Sequence, residues 1–186
     1  MNKKIVFVTG NKRKFNNTRK NLEKNGIEIV QKELDTIEIQ SDNAAEVAKF
    51  SAIHAGNILK EPLIKVDVGF HIEALKGFPG PYIKQINKWL EPEQILEMLA
   101  NIKNRKCYFE DVVACYIPGK EVVTFSDKTT GTISKEVRGE NGWGIDKIFI
   151  PDGFTNTLAE FDEERQIIVW QTSRWQKLCE YIKNNI

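Results

Sequence analysis

A short buried strand that runs into a polar helix through a glycine turn is the feature that most constrains this fold. Residues 5–9 carry no charge and are rich in β-branched and aromatic side chains, which predicts a buried strand. The strand stops at Thr9-Gly10-Asn11, where glycine permits a tight turn and Thr or Asn can cap the next segment. A polar, basic run to Gly26 follows and predicts a surface helix. This order of elements favours an α/β domain.

The same turn is a candidate phosphate-binding site. A helix start leaves backbone N–H groups unpaired at the positive end of the helix dipole, and Lys12, Arg13 and Lys14 follow directly. Such a turn can bind an anion, although most strand–turn–helix units with a glycine bind nothing, so both interpretations stay open. The Walker spacing G-x-x-x-x-G-K-[ST] is absent from this stretch.

Length and charge limit the possible function classes. A chain of 186 residues fits a single domain over residues 1–186. Lys and Arg number 27 against 26 Asp and Glu, so we expect no nucleic acid partner, because binding an extended polyanion requires excess positive charge.

The cysteines and the first residues indicate a compartment. Cys107, Cys115 and Cys179 lack metal-type spacing, which predicts buried or free thiols in a reducing environment. The hydrophobic run after Met1 is too short for a signal peptide or a membrane span. We therefore expect a soluble, cytoplasmic protein with no membrane partner.

The rest of the sequence first alternates predicted strands and helices and then becomes rich in predicted strands. Residues 28–30 and 63–67 predict strands, residues 34–40 an extended piece with Glu38 on its polar face, and residues 77–82 a rigid turn that is neither helix nor sheet interior. Helices are predicted at about 44–59, 82–90 and 91–102 and from Ser173 onward, with strand-and-turn and helical-turn segments at 149–153 and 157–161. Residues 106–117 and 121–134 predict a hairpin, which favours a mixed central sheet flanked by helices.

Three further positions are candidates for chemistry, each with a plainer alternative. Asp67 ends a predicted strand, where α/β sheets bind ligands, or it caps its own loop. Trp143 lies in a glycine-rich loop and offers a face on which a base can stack, or it fills the core. His54 is expected to be a surface or packing residue in its helix.

Four stretches, in the same order along the chain, resemble motifs of the inosine triphosphate pyrophosphatase family. Residues 9–14 are similar to T-G-N-x-x-K, and residues 67–70 with 74–84 resemble the acidic turn and the G-x-P-G-x-Y element. Residues 142–151 are similar to G-[FY]-G-[YW]-D-P-x-F-x-P, and residues 172–174 stand where the family has Ser-His-Arg. The chain is therefore identified as a member of that family, whose enzymes hydrolyse non-canonical purine nucleoside triphosphates.

The resemblance implies an elongated, two-lobed α/β fold, a homodimer, Mg²⁺ as cofactor, and hydrolysis of a nucleoside triphosphate to monophosphate and pyrophosphate. It assigns roles as follows: Thr9, Gly10, Asn11 and Lys14 bind the triphosphate, Glu38 and Asp67 bind the metal, Asp67 and Lys14 are catalytic, Trp143 stacks on the base, Asp146 lies beside it, and Ser173 and Arg174 bind its edge.

Several family positions carry other residues here. These are Asn17 and Val66 for acids, Val68 for Ser or Thr, Ile168 and Ser51 for Lys, and Ser173 for His. Three hypotheses follow: an active pyrophosphatase, a pyrophosphatase with altered base specificity, and a nucleotide-binding sensor that has lost turnover.

Overall fold

The computed structural model describes residues 3–170 and 172–186, and these residues form an α/β fold. The strands are β1 Lys3–Val8, β2 Ile27–Lys32, β3 Leu63–Ile72, β4 Pro79–Gly80, β5 Lys106–Tyr116, β6 Val123–Ile133 and β7 Phe149–Pro151. The helices are α1 Lys12–Glu23, α2 Ala44–Leu59, α3 Ile83–Trp89, α4 Pro92–Met98, α5 Glu163–Val169 and α6 Ser173–Asn185.

The strands of the described residues form one seven-stranded mixed sheet in the order β2-β1-β3-β5-β6-β7, with β4 on β3. Strand β1 pairs parallel with both β2 and β3, whereas β4 and β7 run antiparallel to β3 and β6. The predicted fold class is therefore confirmed.

The chain divides into two compact units. The first unit is Met1–Asp67, Asp111–Asp127 and Thr172–Ile186, and the second is Val68–Glu110 and Lys128–Gln171. The expectation of a single domain over residues 1–186 stays a prediction.

Strand β1 is central to the core of the first unit, because both of its faces are covered. Ile5 and Phe7 pack in a cluster with Trp175 and Leu178 of α6. Val6 and Val8 pack on the other face in a cluster with the alanines of α2, namely Ala44, Ala48, Ala52 and Ala55. A strand buried on both faces explains the uncharged run in the sequence.

The core of the second unit is built on aromatic rings. The Phe70 and Phe109 ring centroids lie 4.6 Å apart, and Phe149 packs edge-on against both, at 5.8 and 4.9 Å. Edge-to-face packing is a favourable arrangement of aromatic side chains, and it joins β3, β5 and β7 within this unit.

Strand β3 is longer than predicted. The sequence indicated an end at Asp67, but the strand continues to Ile72, so that prediction is wrong. The extension is stabilised by β4, where Phe70 pairs with Gly80 and His71 with Pro79, and by burial of the Phe70 and Ile72 side chains. The expected rigid turn at 77–82 accordingly contains a two-residue strand.

Other differences are local. Helix α4 ends at Met98 rather than near residue 102, and α5 was not predicted. The predicted strands β2, β5, β6 and β7, the helices α2, α3 and α6, and the helical turn near Leu158 are confirmed.

The three cysteines match their predicted environment. Cys107, Cys115 and Cys179 are free and buried, as expected. Among the helices of residues 3–170 and 172–186, none has the length and apolar character that crossing a membrane requires.

Candidate functional site

The turn after β1 is organised by its own polar side chains. Asn11 is the N-cap of α1, and its Oδ1 accepts from the Lys14 backbone N–H at 3.0 Å. The backbone N–H of Asn11 donates to Thr9 Oγ1 at 3.1 Å, and Gln31 Nε2 donates to the Thr9 carbonyl at 2.9 Å. The predicted cap is therefore confirmed, and the turn is fixed to both β1 and β2.

Lys14 and Asp111 interact electrostatically in the first unit. Lys14 is half-buried on α1, and Asp111 is a buried carboxyl on β5. Burial raises the pKa of the Asp111 carboxyl, while the positive charges of Arg174 and Lys14 act in the opposite direction. The Asp111 Oδ2 atom is buried and makes no hydrogen bond within the part of the chain that is described.

Arg174 connects two buried carboxylates. Its Nη1 donates to Asp127 Oδ2 at 3.0 Å, and its Nη2 lies 3.5 Å from Asp111 Oδ1. The side chain is only 7% exposed and its guanidinium carbon lies 4.7 Å from the Trp175 ring centroid. Arg174 is therefore on the buried side of α6, not on its solvent face.

Asp127 accepts several hydrogen bonds at the start of α6. The Ser173 hydroxyl donates to its Oδ1, and the backbone N–H of Arg174 donates to its Oδ2 at 2.9 Å. Burial by itself raises the pKa of the Asp127 carboxyl, but the hydrogen bonds from Ser173 and Arg174 outweigh it and lower the pKa below the usual value. Asp127 is therefore ionised near neutral pH.

The two predicted metal ligands differ in environment. Glu38 is exposed on the irregular segment 33–42, which is tied down where Ser51 Oγ donates to the Ile37 carbonyl at 3.1 Å and Lys65 Nζ donates to Thr36 Oγ1 at 2.9 Å. Asp67 is half-buried within β3. Ser51, which stands where the resemblance leads us to expect a Lys, thus fixes the segment that carries Glu38.

The chemistry of these two side chains suits a metal ion that takes further ligands from its substrate. Among the residues described, no three His, Cys, Asp or Glu side chains are grouped to hold a metal ion. Mg²⁺ prefers hard oxygen atoms and commonly uses one or two carboxylates together with substrate phosphates. Glu38 and Asp67 are carboxylates of this chemical type, which suits Mg²⁺ that is bound together with a nucleotide.

Trp143 and Asp146 organise a loop of the second unit. Trp143 is 62% exposed, so the alternative that it fills the core is wrong. Its backbone N–H donates to Asp146 Oδ2 at 2.9 Å, and the Asp146 N–H donates to the Trp143 carbonyl at 2.7 Å. Gly142 precedes them with φ +90, a conformation that favours glycine. The indole face is therefore presented to solvent by a fixed turn.

Two buried acids of the first unit, Asp111 and Asp127, were missed in the sequence. Each occupies a buried position of its strand, as the alternation of exposed and buried residues in β6 shows for Asp127. Acids are almost never fully buried unless they are paired. An acid in phase with the inward-facing residues of a predicted strand is the signal that would have found them.

Comparison with known proteins shows the family to which this chain belongs. The Ham1 family matches residues 5–174, and the chain belongs to that family, which confirms the resemblance seen in the motifs. A relative from Methanopyrus kandleri named dITP/XTP pyrophosphatase is 40% identical over 184 residues, covering 98% of each chain. One of the same name from Thermococcus kodakarensis is 37% identical and covers 98% of this chain and 99% of its own.

Solved structures agree on the fold. A Ham1 protein from Staphylococcus aureus superposes with a TM-score of 0.82 at 23% identity, covering 99% of this chain and all of that one. A HAM1 protein from Coxiella burnetii gives a TM-score of 0.84 at 24% identity, with coverage of 98% and 99%.

Proposed function

We propose that the protein is a nucleoside triphosphate pyrophosphatase that converts non-canonical purine triphosphates such as dITP and XTP to the monophosphate and pyrophosphate. The observation that carries this proposal is the similarity, over nearly the whole chain, to relatives named dITP/XTP pyrophosphatase. The capped turn after β1 supports it, because a helix start beside Lys14 suits an anionic phosphate.

The residues of the turn would bind the phosphates. Thr9, Gly10 and Asn11 bring the backbone to the start of α1, where N–H groups and the helix dipole favour negative charge. Lys14 would stabilise the charge that develops on the departing pyrophosphate. Its backbone N–H is already bonded to Asn11, so we assign its contribution to the side-chain ammonium.

Glu38 and Asp67 would hold Mg²⁺, which when bound neutralises the triphosphate and activates water for attack at phosphorus. Asp67 would hold the metal or accept the proton of the attacking water. In the second unit, the exposed Trp143 would stack on the base and Asp146 would fix the loop that presents it. Ser173 and Arg174 would face the base edge. From the resemblance alone we also propose a homodimer in the cytoplasm.

Product analysis tests the proposed reaction. The protein is incubated with Mg²⁺ and dITP, XTP, ATP or GTP, and the products are separated by ion exchange. We expect equimolar monophosphate and pyrophosphate. Release of inorganic phosphate with a nucleoside diphosphate would show a different bond cleaved and would refute the proposal.

A nucleotide sensor is the second candidate, because Asn17, Val66 and Ile168 replace charged residues of the family pattern. Val66 packs against an apolar cluster of the first unit, where it offers no metal ligand. Calorimetric binding of purine nucleotides without pyrophosphate release would favour this candidate. Turnover at about 1 per second or faster, an ordinary enzyme rate, would eliminate it.

A further inference from the structure

Ser173 and Asp127 link the start of α6 to strand β6. Ser173 is the first residue of α6 and is exposed, whereas Asp127 is buried on β6. Both belong to the first unit, and they are linked by the hydrogen bond between Ser173 Oγ and Asp127 Oδ1. The hydroxyl of an exposed residue is thereby hydrogen-bonded to a buried carboxylate.

The direction of this hydrogen bond is fixed by the charge of Asp127. Its carboxylate also accepts from the backbone N–H and from Nη1 of Arg174, at 2.9 and 3.0 Å, and its pKa is lowered. An ionised carboxylate has no hydrogen to donate. The hydrogen of the Ser173 hydroxyl must therefore point toward Asp127.

A hydroxyl that has given its hydrogen to a carboxylate presents only acceptor lone pairs to a further partner. The neighbouring Arg174 guanidinium directs Nη1 to Asp127 and Nη2 toward Asp111. The start of α6 therefore presents a hydrogen-bond acceptor at Ser173, where a free hydroxyl would be able to rotate and donate.

We propose that Asp127 is a specificity-determining residue that makes Ser173 an acceptor and so weakens the preference for purines with an oxo group at C6 over purines with an amino group there. This inference rests on the proposed function, which puts Ser173 at the base edge. The 6-oxo oxygen of hypoxanthine or xanthine accepts hydrogen bonds and would meet the Ser173 oxygen without a hydrogen between them. A 6-amino group supplies that hydrogen.

The test compares kcat/KM for ATP and ITP on the wild type, Ser173→Ala and Ser173→Thr. Ser173→Ala removes the acceptor while both Arg174 bonds to Asp127 remain, and Ser173→Thr is the matched control that keeps the hydroxyl. We expect the wild type to favour ITP over ATP by less than about tenfold. Ser173→Ala should lower kcat/KM for ATP by about two- to tenfold, as for one net hydrogen bond, and spare ITP, while Ser173→Thr retains the wild-type ratio.

A stronger wild-type preference for ITP, or equal losses on ATP and ITP in Ser173→Ala, would overturn the inference. Absence of pyrophosphate release from every nucleotide would refute the proposed function separately. Calorimetry with AMP and IMP then decides the inference without turnover. AMP binding that Ser173→Ala weakens selectively supports it, whereas failure to bind AMP, or a loss shared with IMP, overturns it.

Discussion

Ser173 donates its hydroxyl hydrogen to Asp127, and this bond spans 46 positions of the sequence. It attaches the start of α6 to β6 at the point where Arg174 meets two buried carboxylates. The same contacts therefore affect the stability of the protein, the protonation of Asp127 and the proposed selectivity for the purine base.

Replacing Asp127 by Ala should destabilise the protein, because the buried Arg174 loses its closer carboxylate partner. Removing one member of a buried ion pair costs about 3–5 kcal/mol, and the Asp111 carboxylate remains near Arg174. We therefore expect a loss of about 2–4 kcal/mol in the free energy of unfolding, measured by urea denaturation. The control is Glu28→Gln in the exposed pair with Lys4, where a change below about 1 kcal/mol is expected. Equal effects of the two changes would contradict the assignment.

The contribution of Asp127 should depend on pH in one direction. Its pKa in the folded protein is lowered, although burial alone raises it, because Ser173 and Arg174 donate to the carboxylate. A lowered folded pKa stabilises the protein above the unfolded pKa of about 3.9, and that stabilisation is lost as pH falls through the folded value. The difference in unfolding free energy between wild type and Asp127→Asn should stay constant from about pH 7 to 5 and narrow below about pH 4. A difference that widens on acidification would contradict this account.

Substitutions at Asn11 and Asn43 form a matched pair that tests the proposed phosphate-binding turn. Both cap helices of the first unit, accepting from the backbone N–H of Lys14 at 3.0 Å and of Ala45 at 2.9 Å. Each change to Ala should lower stability by about 1 kcal/mol, as measured by thermal unfolding. Only Asn11→Ala should also raise KM for the nucleotide, because it alters the turn proposed to bind phosphate. If both variants keep the wild-type KM, Asn11 is a cap and nothing more.

Substitutions at Gly142 and Gly153 distinguish the effect of a steric clash with a side chain from the effect of backbone strain alone. Both have positive φ, +90 and +85, so Ala is strained at each. A Cβ at Gly142 would lie 2.4 Å from Asp146 Oδ2, while nothing lies within 4 Å of one at Gly153. Gly142→Ala should therefore lower kcat/KM more than Gly153→Ala, because it displaces the carboxylate that holds the Trp143 loop. Similar activity in the two variants would argue against a role for this loop in binding.

Local signals in the sequence were enough to predict much of the fold. The uncharged run of β1 and the cap at Asn11 each act within a few residues, and both were predicted. The end of β3 was missed because its extension depends on pairing with β4. The pairing of Arg174 with Asp111 and Asp127 was missed because these acids come from strands far away in the chain. The alternation within a strand can mark a buried acid, but it does not specify the partner of that acid.

The central claim is that Asp67 takes part in the hydrolysis of a nucleoside triphosphate, and the pyrophosphate release rate of Asp67→Asn tests it most directly. The rate is measured with dITP and saturating Mg²⁺ beside the wild type and Asp42→Asn, a change at an exposed acid of the same unit. We predict a loss of about 100-fold or more in Asp67→Asn, in the range typical of a lost acid–base group, and a near wild-type rate in Asp42→Asn. Full activity in Asp67→Asn would contradict the account.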